Sequence, residues 1–265
     1  MSATGADLDA YARRLGFVGP LRPDLDTLRS LHRAHIRTVP FENASVLFGE
    51  PIEIDQGAFV RKLGAQNRGG FCYELNGAFA ALLGAVGFEV AFLEARTYGE
   101  AGRLGPRHDH MALRVTLDEP WLADVGFGYS FVEPLRLSTS DTQIDPIGAF
   151  RLVTRGDGTD VEWRHRDGRW VAHYRFDPEP CAIGDFAATC RDQQTSPDSP
   201  FVADWLCSRI GDQGGVTLSD GRLIVTDGDS RSEAEVSEHD LPVTLAAHFG
   251  IHAARVDGRW VRTAG

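Results

Sequence analysis

A cysteine set directly after a glycine pair and just before an apolar run is a candidate nucleophile, and Arg68-Gly69-Gly70-Phe71-Cys72-Tyr73-Glu74-Leu75-Asn76 has that form. The glycines let the backbone turn. A helix starting at Cys72 would aim its free N–H groups and positive dipole end at the sulfur, which favours the thiolate. Inert packing in a core is the alternative for a free cysteine. A nucleophilic thiol needs an imidazole within hydrogen-bond reach and a third group to orient it. His110 is the best-placed imidazole, since it begins an alternating strand after the polar stretch Arg107-His108-Asp109; a surface or merely structural histidine is its alternative reading. Asp124 is the matching carboxylate. It stands in the otherwise apolar Trp121-Leu122-Ala123-Asp124-Val125-Gly126-Phe127-Gly128, where an unpaired charge would be costly. A plain hairpin turning at Asp118-Glu119 would set Asp124 opposite Leu113 and His110 opposite Phe127, so the meeting of the two side chains calls for a bulge or another strand order.

The elements that must hold these residues follow from hydrophobic period. Residues 24–37 place Leu25, Leu28, Leu31 and Ile36 near helical spacing, with Asp24 as N-cap and Val39-Pro40 as a stop, so the first third of the chain reads as helical. Its last helix opens at Cys72, carries Leu75, Phe79, Leu82, Leu83 and Val86, and ends at Gly87. After Gly87 the period becomes two, over 88–93 and 111–117. Asp157-Gly158 and Asp167-Gly168 punctuate apolar stretches at 150–153, 161–163 and 170–176, as in an antiparallel meander or small barrel. The remainder is mixed: helices at 183–190, around Trp205 and at 237–249, with strands near 223–225 and Trp260. Ser237 and Asp240 stand at capping-box spacing and Gly250 closes the last helix.

Composition limits the function classes. A chain of 265 residues with net charge −11 is a poor partner for nucleic acid or anionic lipid. No apolar run approaches the roughly 20 residues that span a membrane, and residues 1–10 lack a basic, apolar leader pattern. Four cysteines without a C-x-x-C pair read as reduced thiols in a cytoplasmic protein, with no metal site. His32, His35, His108, His165, His173, His239, His248 and His252 read as surface or locally bonded.

Residues 68–76, His110-Met111 and Ala123-Asp124-Val125-Gly126-Phe127-Gly128 together resemble the three sequence blocks of arylamine N-acetyltransferases. Pro40-Phe41-Glu42-Asn43 and Thr195-Ser196-Pro197-Asp198-Ser199-Pro200-Phe201 resemble further blocks in the same order, so the likeness covers about 37–201 and more loosely the rest. The resemblance implies an α+β fold: a helical domain over 1–88 carrying the nucleophile, an antiparallel β-barrel over 89–180 carrying His and Asp, and an α/β lid over 181–265. It also implies a ping-pong reaction in which Cys72, with His110 and Asp124, takes an acetyl group from acetyl-coenzyme A, a co-substrate rather than a resident cofactor. An arylamine, arylhydrazine or N-hydroxyarylamine then accepts it. By the same likeness Phe41 and Phe127 line the acceptor pocket and Tyr73 flanks the sulfur. Gly126 and Gly128 let the coenzyme approach, Thr195, Ser196 and Phe201 lie where the lid meets the cleft, and Arg68 with Glu42 forms a scaffolding pair. Asp109 departs from the pattern, which has a small hydroxyl residue at this place in many members; its charge would raise the imidazole or repel coenzyme phosphates. A macrolactam-forming amide synthase loaded from a carrier protein, a cysteine hydrolase or transglutaminase-like enzyme, and an inactive small-molecule binder are the competing readings.

Overall fold

The computed structural model describes residues 3–99, 102–165, 167–211, 214–228 and 230–264. Its first part packs helices α1 (Gly5–Arg14), α2 (Leu25–Thr38), α3 (Ala44–Leu47) and α4 (Gln56–Gly64) around α5 (Cys72–Val86). Asp24 caps α2 by accepting the Thr27 N–H at 2.8 Å. Gly87, in the left-handed region at φ +107°, ends α5. Nearly every residue of α5 from Cys72 to Leu83 is buried, so this helix is the shared core against which both the other helices and the sheet pack.

The first third is not wholly helical. Strand β1 (Phe41–Glu42) runs antiparallel to a strand far along the chain, with Glu42 opposite Cys207. It also touches the glycine pair: the Glu42 N–H donates to the Gly70 carbonyl at 2.8 Å. A side chain at Gly69 would start 2.3 Å from the Pro40 carbonyl oxygen. The close approach of these two segments is therefore what demands glycine there.

Strands β2 (Glu89–Thr97), β3 (His110–Thr116), β4 (Pro120–Ala123), β5 (Leu135–Arg136), β6 (Gln143–Asp145), β7 (Gly148–Arg155), β8 (Gly158–Arg164) and β9 (Trp170–Cys181) form one antiparallel sheet ordered β5-β4-β3-β2-β9-β8-β7-β6. Its two ends meet through the Gln143 side chain, which accepts the Arg136 N–H at 2.7 Å and donates to the Arg136 carbonyl at 3.1 Å, so the barrel nearly closes. Alternation gives each face its own core. Leu93, Ala95, Ala112, Leu122, Phe150 and Tyr174 fill the barrel, while Met111, Leu113, Val115 and Ala123 point outward into the core around α5.

Past the barrel, a short 3-10 turn (Ile183–Phe186), α6 (Ala187–Thr195) and α7 (Pro200–Ala203) lead into β10 (Cys207–Ile210), β11 (Gly214–Ser219), β12 (Arg222–Asp227) and β13 (Ser230–Glu235), a sheet that β1 completes. Helix α8 (Leu241–Phe249) and a hairpin of β14 (Ala253–Val256) and β15 (Arg259–Arg262) follow. Trp205 is not helical: α7 ends before it, and its indole is buried in the last core with Cys207, Leu218 and Phe249. Ser237 and Asp240 do exchange hydrogen bonds, yet they form the turn before α8 rather than its first residues.

The start of α5 depends on a buried ion pair. Glu74 accepts the Phe71 N–H at 3.3 Å and the Lys62 ammonium at 2.7 Å, and Lys62 also donates to Ser45 Oγ at 2.9 Å. Removing one partner of such a pair strands the other charge. Lys62→Met should therefore lower the unfolding free energy by about 3 kcal/mol in urea denaturation, and a loss under about 1 kcal/mol would show that Glu74 does not need its partner.

Candidate active site

The β3–β4 hairpin settles how His110 and Asp124 meet. Leu113 pairs with Ala123 and Thr116 with Pro120, one residue out of the register expected for a turn at Asp118-Glu119. Continued past Ala123, this register sets Asp124 opposite Ala112, and Ala112 and His110 lie on the same face of β3. Because strand side chains alternate, the one-residue difference moves Asp124 from the face opposite His110 to the face it shares. Neither a bulge nor a different strand order is needed. His110 Nε2 lies 2.7 Å from Asp124 Oδ2, with the two residues 2 % and 1 % exposed.

Asp124 directly follows β4 and begins a bent stretch, 124–134, without regular structure. Its other oxygen, Oδ1, accepts Asn76 Nδ2 and the Gly126 N–H, both at 2.9 Å. Burial alone would push the carboxyl up; the His110 charge and the bonds from His110, Asn76 and Gly126 outweigh it and hold Asp124 below the usual carboxylate value. Asn76 also donates to the Met111 carbonyl at 2.6 Å and accepts the Val125 N–H at 3.0 Å, so one amide joins α5, β3 and the segment after β4. The sequence reading missed Asn76. Its spacing of four from Cys72 on a helix was the available signal, because residues i and i+4 share a face.

Cys72 is the first residue of α5 and is 3 % exposed, with its sulfur 3.8 Å from the carbonyl oxygen of Asp109, the residue before His110. Gly126 presses against its other side: a side chain there would start 2.6 Å from Asn76 Nδ2 and 2.9 Å from Cys72 Cα. The thiol is not simply ionised by the helix dipole. Burial pushes it well above its ordinary value, and the charges of Cys190, Asp109 and Asp124 push the same way, against a single opposing bond from the Met111 N–H. To become a thiolate here, the thiol must hand its proton to a neighbouring base.

The remaining sequence candidates fall into two groups. Phe127 stands edge-on to the His110 ring at 5.3 Å and stacks on His173 at 4.9 Å, so it packs against the imidazole. Phe41 lies 6.1 Å from Phe201, which meets Phe71 at 5.6 Å. Gly128 sits at φ +92°, a conformation few side chains adopt, with Phe41 and Ser208 beside it. Tyr73 is buried and donates to the His108 carbonyl at 2.8 Å. Thr195 and Ser196 make only local bonds at the end of α6, Thr195 Oγ1 to the Arg191 carbonyl and Ser196 Oγ from the Asp198 N–H. Asn43 holds the segment of Phe201 instead, donating to the Phe201 and Asp204 carbonyls and accepting the Leu206 N–H. Arg68 lies 3.8 Å from Glu42 and 3.1 Å from Glu50. The Asp109 carboxylate is turned to Thr97, which donates to it from its N–H at 2.9 Å and its hydroxyl at 3.0 Å, and burial pushes its pKa up.

Three histidines are neither at the surface nor bonded locally. His32 and His35 are fully buried, and His173 lies beneath Phe127. Burial pushes His32 and His173 down to about 4 and His35 well below its ordinary value. A further cluster brings donor atoms of His108, Cys181 and Asp185 within 4.8 Å of one another, although Asp185 already accepts the Ala182 N–H at 2.9 Å. A cleft of about 1020 Å³ opens between the barrel, at Tyr129, Ile147 and Trp163, and the last sheet, at Thr217 and Ile224. Cys72, His110 and Asp124 are not among its lining residues.

A thiol at the start of a core helix, set against a barrel that carries an imidazole–carboxylate pair, defines the class: an α+β protein with a cysteine-protease-like core. A family model for N-acetyltransferase matches residues 24–257. The chain is 34 % identical over 226 residues to the arylamine N-acetyltransferase of Escherichia coli (strain K12), covering 80 % of this chain and 76 % of that one. It is 34 % identical over 264 residues to the arylamine N-acetyltransferase of Mycolicibacterium smegmatis, covering 97 % and 96 %. The structure of the Mycobacterium marinum arylamine N-acetyltransferase in complex with CoA superposes with a TM-score of 0.84 at 29 % identity over 92 % of both chains. The chain belongs to the arylamine N-acetyltransferase family and is an acetyltransferase.

Two outcomes test this geometry. Asn76→Ala strips a donor from a buried carboxylate, which costs about 1–3 kcal/mol per lost bond; kcat/KM should fall on the order of tenfold or more, and an unchanged rate would remove Asn76 from the site. Two neutral histidines, buried His32 and half-buried His173, also set an acid limit. Below about 6.5 the unfolded chain binds protons that folded His32 and His173 refuse until about 4, so stability falls as pH drops through that window. The loss should be roughly 3 kcal/mol per histidine, and a urea midpoint flat from pH 6.5 to 4 would refute it.

Proposed function

We propose that this chain transfers an acetyl group from acetyl-coenzyme A to an arylamine, an arylhydrazine or an N-hydroxyarylamine through a thioester on Cys72. The observation that supports this most directly is the His110–Asp124 bond at 2.7 Å, with a buried thiol 3.8 Å from the carbonyl of the residue before His110. Asp124 occupies Nε2, which leaves Nδ1 as the nitrogen free to exchange a proton with the sulfur. In the first half-reaction Cys72 gives its proton to His110 and the thiolate attacks the thioester carbonyl. The tetrahedral intermediate collapses, and coenzyme A leaves with the proton His110 returns. In the second half the acceptor nitrogen, or the hydroxyl oxygen of an N-hydroxyarylamine, attacks the Cys72 thioester. His110 takes the acceptor's proton and passes it to the departing sulfur. The carboxylate of Asp124 stabilises the imidazolium in both halves and stays ionised itself.

Phe127, Phe41 and Phe201 give the acceptor's ring apolar, aromatic walls, with Phe127 nearest the imidazole. The cleft between barrel and last sheet offers the coenzyme space, and the family likeness, rather than the lining of that cleft, is what supports Tyr73, Gly126, Gly128, Thr195 and Ser196 as contact residues. The division into a helical domain over 1–88, a barrel over 89–180 and a lid over 181–265 is proposed with this mechanism. The proposed location is the cytoplasm, where four free cysteines stay reduced. No described helix is long and apolar enough to cross a membrane.

Incubation with acetyl-coenzyme A and no acceptor should add one acetyl mass to the peptide containing Cys72, and an arylamine should then remove it. Cys72→Ala should abolish both steps. An adduct on another residue, or none, would sink the mechanism. Rapid loss of the acetyl group to water without an amine would favour a hydrolase.

A further inference from the structure

The segment that carries the site has an anchor outside the three residues of the mechanism. His32, on α2, reaches across the molecule with both ring nitrogens. Its Nε2 accepts the Asp124 N–H at 3.1 Å, and its Nδ1 lies 2.8 Å from the Val132 carbonyl oxygen. Those two partners lie at the start of the irregular stretch 124–134 and eight residues further along it. Within it, Gly126 rests against Cys72, Phe127 against His110, and Gly128 beside Phe41.

We infer that His32 is a positioning residue for acyl transfer: a neutral imidazole in the Nδ1–H tautomer that ties the stretch 124–134 to α2 at two points, Asp124 and Val132. The tautomer follows from the partners. An N–H can meet only a lone pair, so Nε2 is unprotonated; a carbonyl can meet only a donor, so Nδ1 carries the hydrogen. No other protonation state makes both bonds. The ring is fully buried, stacked on Phe131 at 5.8 Å and edge-on to Phe79 at 6.0 Å, so its orientation is fixed by packing as well. The charged or titratable groups facing it are Asp124 from the segment and His35 from its own helix, with no described cation against the ring. The depressed pKa of His32 agrees with a neutral ring at working pH.

The consequence concerns aim. Fixing the Asp124 backbone fixes where its carboxylate presents itself to His110, and a displacement of about 1 Å at such a contact can cost on the order of 100-fold in rate. The inference rests on the Cys72 mechanism for its kinetic meaning, but the tautomer itself does not.

The test compares three variants of the full chain. His32→Gln can place an amide oxygen near the Nε2 position and keep the Asp124 N–H satisfied; His32→Asn can keep the donor to Val132 but lose the Asp124 contact; His32→Leu loses both. Acylation of Cys72 by acetyl-coenzyme A should fall on the order of 100-fold in His32→Leu and His32→Asn and within about tenfold in His32→Gln. The pH profile of Cys72 alkylation by iodoacetamide should move in His32→Leu and His32→Asn, which a purely structural loss would leave in place. Nitrogen NMR of the wild type should show His32 protonated at Nδ1 alone. A ring protonated at Nε2, or His32→Asn with wild-type acylation and alkylation profiles, would overturn the inference. If His32→Leu does not fold, the Gln–Asn comparison and the tautomer decide. If wild type forms no Cys72 adduct at all, the mechanism fails while the tautomer measurement still stands or falls alone.

Discussion

The site is organised by one constraint, a carboxylate taken almost wholly out of water. Asp124 is 1 % exposed, and an ionised group there must find its solvation inside the protein. Its oxygens draw on His110 from β3, Asn76 from α5 and Gly126 from its own segment, while its N–H goes to His32 on α2. Three of those partners lie 14, 48 and 92 residues away in sequence. The helical layer and the barrel are thus held together at the point where proton transfer is proposed. Losing any one partner would raise the cost of the charge that the imidazolium needs.

Helix α5 supplies the second half of that junction. Glu74 fixes its first turn against Lys62, which places Cys72 at the helix start, and four residues on Asn76 reaches the barrel from the same face. The two sides interlock through glycine. Gly69 admits the Pro40 backbone three residues before Cys72, and Gly126 admits the Cys72 backbone itself. The Cys72 thiol, the Asn76 amide and the Asp124 carboxylate therefore occupy one packed unit rather than the tips of separate loops.

The sequence conveyed what short-range physics controls. Asp24 as a cap, Gly87 as a stop, the change of period after it and the hairpins of the barrel are local signals, and each has its counterpart in the structure. Whatever depends on partners distant in the chain was harder to read. Phe41-Glu42 forms a strand only because β10 lies beside it, and Trp205 is buried without a helix because another sheet covers it. The hairpin register slipped by one residue in the sequence reading, enough to put His110 and Asp124 on opposite faces. His32 and His35 look like polar punctuation on α2, yet both belong to its buried face; burial of a histidine depends on acceptors that no local window contains.

The upward shift of Cys72 changes how its reactivity should be understood. A helix N-terminus acting on an exposed sulfur would keep a standing thiolate, open to oxidants and alkylators. Here desolvation and the negative charges of Asp109 and Asp124 oppose that state, so the proposed mechanism forms the anion only as a pair with His110. Burial that raises the thiol would also keep water from the proposed thioester, and protection of an acyl intermediate from hydrolysis is what distinguishes transfer from cleavage. The same low-polarity surroundings strengthen the His110–Asp124 attraction once the ring is charged. Suppression of the idle thiolate and stabilisation of the proposed ion pair would thus be two results of a single packing arrangement, with the carboxylate network deciding the balance between them.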